Sequence, residues 1–223
     1  MIVHLVTDRT RLAGRDGGGP TDLSALLALI DAAIAAGIDV IQLRERDLEA
    51  RQLATLVAGA VARAAGRRTR IVVNDRVDLA IACGAAGVHL RGDSVPAAGV
   101  RRIAPSGFII GRSVHSVAEA VEQAPFVDYL VAGTVWATAS KPAGTPLLGV
   151  DTLSAIARAV AVPVLGIGGV TIERAGQLAR AGAAGAAAIG LFQPAGQGDP
   201  SAVTLRETVE MLRRSFDLPA SGS

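Results

Sequence analysis

The chain has 223 residues, 50% of them hydrophobic, and its 22 basic and 20 acidic side chains leave a formal net charge of +2. This length is enough for one large domain or two small ones with a sizeable core. The aromatic content of 3% and the nearly balanced charge argue against a nucleic-acid binder, which would stack bases or neutralise a phosphate backbone. The single cysteine excludes an internal disulfide framework and fits a cytoplasmic protein.

No membrane partner is expected. The longest apolar stretch, residues 23–38, is interrupted by Asp31 and is shorter than the roughly 18 to 20 residues of a membrane span. The apolar amino terminus is closed at once by Asp8 and Arg9 and lacks the features of a secretion signal. We therefore expect a soluble, cytoplasmic chain.

Short β-branched runs alternate along the chain with Ala- and Leu-rich stretches of helical length. The predicted strands are 2–7, 39–44, 70–73, 87–90, 108–111, 128–132, 162–166 and 185–189. The predicted helices are 22–36, 49–65, 76–83, 97–104, 116–123, 151–160, 172–181 and 201–215.

Eight such strand and helix units, with no linker between them, predict an α/β fold, a single (β/α)8 TIM barrel over residues 1–215. A doubly wound sheet would place its nucleotide glycines directly after the first strand, whereas the glycines at 17–19 come later and lack the fingerprint spacing. Residues 216–223 are short, small and polar, and we expect a disordered tail there.

Polar side chains fall at the carboxyl ends of the predicted strands, where such barrels build their sites. The period-two alternation directs Gln42 and Arg44 into the barrel mouth, and Arg46 follows in the loop. Asn74 and Asp75 follow the third strand, where an ordinary helix N-cap is the alternative role.

The next two strands also end in polar residues. Asp93 follows strand four, so it and Asp75 are placed to share a divalent cation with diphosphate oxygens. Ser113 and His115 alternate to one side after strand five, and His115 is a candidate acid or base, with a structural role as the alternative. His4, within strand one, is interpreted as a packed core residue.

The later loops predict phosphate binding. The loop after strand six carries the hydroxyls of Thr138 and Ser140 beside Lys141, the only lysine of the chain, which is a donor set suited to phosphate oxygens. After strands seven and eight, backbone N–H groups near glycines are expected to hold a second phosphate, at Gly168, Gly169, Ile189 and Gly190. The residues alone thus favour a two-substrate transferase or a phosphosugar-like isomerase.

Several strings together resemble the thiamine phosphate synthase family, including its thiazole tautomerase branch. They are QLRER at 42–46, VNDR at 73–76, GVHL at 87–90, GRSVHS at 111–116, TASKP at 138–142 and GIGG at 166–169. The resemblance extends over about residues 2 to 192. Synthases of this family join hydroxymethylpyrimidine diphosphate to a thiazole phosphate and release diphosphate with Mg²⁺.

The resemblance implies a role for each matching position. The pyrimidine diphosphate would be contacted by Gln42, Arg44, Asn74, Thr138, Ser140 and Lys141, of which Arg44 and Lys141 are the expected catalytic groups. Asp75 would be one Mg²⁺ ligand. Gly168 and the backbone after Ile189 would hold the thiazole phosphate.

Two positions depart from the synthase pattern. Arg46 stands where the family has a lysine, and Ser94 aligns with the second metal-binding aspartate, so that Asp93 is one residue early. The alternative is therefore a metal-independent thiazole tautomerase acting on a carboxythiazole phosphate, with His115 as acid and base. A third hypothesis is a non-catalytic regulator that binds thiamin precursors. Homo-oligomerisation and the ordering of loops on substrate binding stay open.

Overall fold

The predicted barrel is confirmed. A computed structural model describes residues 1–12, 23–138, 142, 144–193 and 202–217. The described residues form parallel strands that close into one barrel in chain order, the first strand pairing with the eighth. The strands are β1 (Ile2–Val6), β2 (Val40–Leu43), β3 (Arg70–Asn74), β4 (Gly87–Leu90), β5 (Ile109–Val114), β6 (Tyr129–Gly133), β7 (Val164–Ile167) and β8 (Gly185–Ala188).

Helices alternate with the strands and cover the outside of the barrel. They are α1 (Ser24–Ala35), α2 (Ala50–Ala64), α3 (Val77–Ala82), α4 (Ala97–Ile103), α5 (Val117–Gln123), α6 (Gly149–Ala159), α7 (Ile172–Arg180) and α8 (Ala202–Asp217). Short 3-10 turns lie at Arg9–Arg11 and Ala124–Phe126. Among the residues that the structure describes, none of the helices combines the length and the apolar character that a bilayer crossing requires.

Alternation along the strands separates two hydrophobic layers. Residues such as Val3, Leu5 and Ile41 face outwards and belong to the large core between strands and helices. The opposite faces of β6, β7 and β8 build a smaller cluster inside the barrel from Tyr129, Val131, Leu165 and Ala187. Because a parallel barrel is buried on both faces, its strands are apolar almost throughout, and a polar residue inside must find a partner.

Three aromatic or imidazole rings fill the interior beside this cluster. His4 and Tyr129 have ring centroids 5.6 Å apart, and His89 lies 6.1 Å from His4 and 5.6 Å from Tyr129. Gly111 makes room for the Tyr129 ring, because a Cβ there would lie 2.1 Å from Tyr129 Cζ. The interpretation of His4 as a packed core residue agrees with its complete burial.

Most predicted boundaries differ from the observed ones by one or two residues, and two of the differences are informative. β5 continues to Val114 rather than ending at residue 111, because the polar residues that suggested its end are satisfied inside the protein. Helix α8 continues to Asp217, so residues 216 and 217 are helical and not part of a disordered tail, and Phe216 packs against the core. Residues 218–223, the rest of the predicted tail, lie outside the described residues.

Candidate active site

A cavity of about 520 Å³ opens at the carboxyl ends of the strands. Most of the predicted site residues line it, from strands and loops that are far apart in sequence: Gln42, Arg44, Arg46, Asn74, Ser113, His115, Thr138, Gly168, Gly169, Ile189 and Gly190. Asp75 and Asp93 lie beside it, in contact with the lining residue Arg91. Ser140 and Lys141 were predicted here too, but they lie outside the described residues.

The floor of the cavity carries two amides from neighbouring strands. Gln42 is buried, and its Nε2 donates to Asn74 Oδ1 at 2.8 Å. Neither Asn74 nor Asp75 caps α3, which begins after Arg76 without a side-chain cap. The N-cap role considered from the sequence is therefore not observed, and both side chains are directed towards other partners in the site.

Asp75 has a left-handed backbone, with φ of 65°, which aspartate tolerates better than most residues. One of its carboxylate oxygens accepts from the Ser94 hydroxyl, and the other lies 2.9 Å from Arg91 Nε, as an ion pair without linear hydrogen-bond geometry. Arg91 Nη2 donates to Asp93 Oδ2 at 2.8 Å. Asp75 and Asp93 thus flank one guanidinium group.

Three guanidinium groups reach this side of the cavity, those of Arg44, Arg46 and Arg91. Burial, with repulsion from Arg44 and then Arg91, lowers the pKa of Arg46, while Asp75 and Asp93 act in the opposite direction. An arginine so shifted is still charged at neutral pH. Within the described residues, neither Arg44 nor Arg46 uses its side chain in a hydrogen bond or ion pair, so both keep donors for a ligand.

The backbone of Arg44 is fixed by a buried acid. Thr7 Oγ1 accepts from the Arg44 N–H at 3.0 Å and donates to Glu45 Oε1 at 2.6 Å. The other oxygen of Glu45 accepts from the Arg9 N–H at 3.0 Å. Burial raises the pKa of Glu45, and these hydrogen bonds oppose the shift. The network ties β1 to the end of β2 and holds Arg44 at the rim.

Ser113 is connected to the barrel interior through His89. His89 Nε2 is 2.9 Å from Ser113 Oγ, and His89 Nδ1 is 3.1 Å from the Tyr129 hydroxyl. Burial, with smaller effects of His4 and Arg112, lowers the pKa of His89 to about 3, so its ring is neutral at pH 7. When Tyr129 donates to Nδ1, the Nε2–H donates to Ser113 and leaves the Ser113 proton free for a ligand.

His115 lies at the mouth of the cavity, with 59% of its side chain exposed. Its Nδ1 is 3.3 Å from Glu119 Oε2, and the same carboxylate oxygen accepts from the His115 backbone N–H at 2.8 Å. Ser116 caps α5 by accepting from the Glu119 N–H. The imidazole is therefore held next to a carboxylate, an arrangement suited to proton transfer.

The opposite side of the cavity is lined by residues of the loops after β7 and β8. Gly168 and Gly169 have φ of 97° and 64°, a region that favours glycine. A Cβ at Gly168 would also lie 2.4 Å from Thr134 Cγ2, so only glycine allows this close approach. The predicted backbone phosphate site at these two loops stays a prediction, with a geometry that permits it.

Two lining arginines were not singled out from the sequence. Arg11 follows β1, and its Nε donates to the Gln193 carbonyl at 2.8 Å, next to Gly190. Arg91 directly follows β4. Their positions just past a strand end were the available signal, but an arginine there is more often a solvated loop charge.

A (β/α)8 barrel with guanidinium groups on one side of its mouth and glycine loops on the other is an enzyme fold suited to phosphorylated substrates. The family model described as thiamine monophosphate synthase matches residues 17–192. The chain belongs to this family. The predicted resemblance is confirmed, and with it a transferase of thiamin biosynthesis.

Individual relatives match over most of their length. A thiamine-phosphate synthase of Roseiflexus castenholzii is 41% identical over 206 residues, which cover 91% of this chain and 85% of that protein. One of Methanoculleus marisnigri is 38% identical over 208 residues, covering 93% and 94%. The solved structure of a thiamine phosphate pyrophosphorylase from Pyrococcus furiosus has a TM-score of 0.77 at 28% identity and covers 95% of this chain and 96% of its own.

Proposed function

We propose that this protein is a thiamine-phosphate synthase, which joins hydroxymethylpyrimidine diphosphate to a thiazole phosphate. The bond between the pyrimidine methylene carbon and the diphosphate oxygen breaks, and its electron pair leaves with the diphosphate. The thiazole ring nitrogen supplies the electron pair of the new C–N bond. The protein has to stabilise the charge on the departing diphosphate and hold both rings in line.

The division of charge across the cavity carries this proposal. Three of the four lining arginines, Arg44, Arg46 and Arg91, lie on one side. The glycine loops after β7 and β8 lie on the other side, with the single arginine Arg11 beside Gly190. The diphosphate gains negative charge as it leaves, so it belongs beside the guanidinium groups, whose planar donors match phosphate oxygens. The single phosphate of the thiazole suits the backbone N–H groups of the glycine loops, with one guanidinium group nearby. Two anionic substrates can thus approach from opposite sides.

The amides and hydroxyl between these sides suit the pyrimidine ring. Gln42 donates to Asn74 Oδ1, which leaves the Asn74 amide nitrogen to donate to a ring nitrogen. Ser113, oriented by His89, offers a further polar contact. The homologous roles predicted for Thr138, Ser140 and Lys141 at the diphosphate remain part of the proposal.

Magnesium is the cofactor that the family resemblance implies, with Asp75 and Asp93 as the predicted ligands. Both carboxylates already pair with Arg91, and Asp75 also accepts from Ser94. As arranged, this donor set does not fit a magnesium site shared by two carboxylates, because the guanidinium neutralises both. No step of the proposed reaction is therefore routed through a metal, and the magnesium dependence that the resemblance implies is put to the test by the chelator arm of the assay below.

The proposal is tested by supplying both substrates, with Mg²⁺ or with excess chelator, and following thiamine phosphate and diphosphate by mass spectrometry. We expect Arg44→Gln and Lys141→Ala each to lower turnover by at least about tenfold, a loss of about 1.4 kcal/mol of transition-state stabilisation. The control is Arg67→Gln, an exposed arginine between α2 and β3 at the opposite end of the barrel. Wild-type rates in both site variants would contradict the assignment.

The tautomerase is the second candidate, because His115 is held 3.3 Å from Glu119 at the mouth of the cavity. A separate reaction containing only the carboxythiazole phosphate tautomer tests it. Isomerisation that is lost in His115→Gln, without formation of thiamine phosphate from the synthase substrates, would replace the synthase proposal. Binding of both substrates without turnover in either reaction would indicate a regulator.

A further inference from the structure

Arg91 occupies an unusual place in this site. Its Nε lies 2.9 Å from Asp75 Oδ2, and its Nη2 donates to Asp93 Oδ2 at 2.8 Å. The two carboxylates come from loops after adjacent strands, β3 and β4, and the guanidinium joins them. A cation between two carboxylates is what the sequence predicted here, but the cation is a side chain of the protein.

We propose that Arg91 is a built-in cation of the diphosphate site, standing between Asp75 and Asp93 where a divalent metal ion was expected and reducing the requirement for one. The identity of the diphosphate substrate rests on the proposed function. The position of Arg91, and the metal binding that it prevents, do not.

The contacts of Arg91 leave it able to bind an anion. The side chain is 35% exposed and lines the same cavity as Arg44 and Arg46. Its Nη1 forms no hydrogen bond to any residue that the structure describes, so this donor remains available. Carboxylates hold the guanidinium through Nε and Nη2, which fixes the plane in which Nη1 points. A fixed, planar donor loses less entropy on binding phosphate than a mobile one.

Hydrogen bonds from Ser94 and Arg112 fix the turn that carries Arg91. Ser94 Oγ accepts from the Arg91 backbone N–H at 2.7 Å and also donates to Asp75. Arg112 is buried on β5 and donates to the carbonyls of Gly92 and Val95 at 2.9 and 3.0 Å. Ser94, at the position where a second metal ligand was expected, therefore holds Arg91 and Asp75 in place through its hydroxyl.

Charge balance favours the same conclusion. Three arginines and two aspartates at this rim, Arg44, Arg46, Arg91, Asp75 and Asp93, give a formal charge of +1 before substrate binds. A divalent ion in contact with both carboxylates would add two positive charges next to the Arg91 guanidinium. The repulsion between these cations disfavours metal binding until Arg91 is removed or displaced.

The direct test uses Mn²⁺ as a probe, with binding to the substrate-free protein measured by electron paramagnetic resonance of the free ion. We expect Arg91→Gln to bind Mn²⁺ at least about tenfold more tightly than the wild type, because Asp75 and Asp93 are released. Arg91→Lys keeps the cation and should resemble the wild type, as should Arg67→Gln. Adding Asp75→Asn to Arg91→Gln should remove the gained binding. Thermal melts establish that each variant is folded.

The second measurement compares turnover in Mg²⁺ and in excess chelator. We expect the wild type to change by less than about threefold and Arg91→Gln to lose at least about tenfold in chelator and recover with Mg²⁺. Tight Mn²⁺ binding by the wild type that Arg91→Gln does not improve would overturn the proposal, as would wild-type turnover that disappears in chelator. If the wild type makes no thiamine phosphate in either condition, the proposed function fails, and the Mn²⁺ comparison still decides the place of Arg91.

Discussion

His4 and His89 lie side by side inside the barrel, and both are completely or almost completely buried. Burial, opposed by Gln42, lowers the pKa of His4 to about 4, and burial with repulsion from His4 and Arg112 lowers that of His89 to about 3. Both values lie below the value of about 6.5 for an unfolded histidine. The unfolded state therefore takes up protons first as the pH falls. The stability due to the neutral rings is complete above about pH 6.5 and is lost as the pH falls towards the folded values.

The size of the effect follows from the same pKa values. Each unit below pH 6.5 favours the unfolded state by about 1.4 kcal/mol per histidine, so at pH 5 each ring costs about 2 kcal/mol and the pair about 4 kcal/mol. His4→Phe should remove one half of this loss. No hydrogen bond of normal geometry joins either ring nitrogen of His4 to a described residue, and Gln42, whose contact raises the pKa of His4, keeps its hydrogen bond to Asn74 in the variant.

Urea unfolding at pH 7 and pH 5 measures this effect as the difference between the two free energies of unfolding. The loss between the two pH values should be about 2 kcal/mol smaller in His4→Phe than in the wild type. Leu165→Val is the control, since it lies in the same interior cluster, carries no titratable group and should lower stability by about 1 kcal/mol at both pH values. A pH-dependent loss in His4→Phe equal to that of the wild type would refute the reasoning.

Three further substitutions test the interior and the site. Gly111→Ala places a methyl group 2.1 Å from Tyr129 Cζ and should destabilise the protein by about 1 to 3 kcal/mol in thermal unfolding. Gly99→Ala is the control, because no atom lies closer than 3.9 Å to the added methyl group. Equal melting temperatures for these two variants would contradict the packing described around Tyr129. Gly168→Ala should raise KM for the thiazole phosphate by at least about tenfold and change KM for the pyrimidine diphosphate less. A larger change in KM for the pyrimidine diphosphate would show that the two subsites are assigned the wrong way round. Ser113→Ala should raise KM for the pyrimidine diphosphate by about threefold to tenfold in steady-state kinetics, and an unchanged KM would remove Ser113 from that contact.

The sequence predicted the barrel well because its signal is local and repeated. Helix ends and strand starts were marked by glycines and by the change from helical to β-branched composition. The end of β5 was missed because Arg112 and Ser113 are polar, and polar residues usually end a buried strand. Arg112 instead donates to two carbonyls of the loop after β4, and Ser113 contacts His89 on β4. These partners lie about 17 to 24 residues away along the chain, so no local pattern reveals them.

The positions of several site residues were also predicted from a local pattern, the alternation of side chains along a strand. Strand alternation placed Gln42, Arg44 and Ser113 at the cavity, because the face of a strand residue follows from its position alone. The alternation does not tell which partners a side chain meets across the barrel mouth. For this reason the pairing of Asp75 with Arg91 could not be read from the sequence, although both residues lie just past strand ends.

The buried guanidinium of Arg112 holds the loop after β4 from outside, through the carbonyls of Gly92 and Val95. Main-chain oxygens are present whatever residues the loop contains, so this support of the backbone at Gly92 and Val95 does not depend on the side chains at positions 93 and 94. The Ser94 hydroxyl adds a second, side-chain support at the Arg91 N–H. A substitution at position 93 or 94 therefore changes the charge at the rim of the cavity, while Arg112 still holds the main chain on both sides of these two positions.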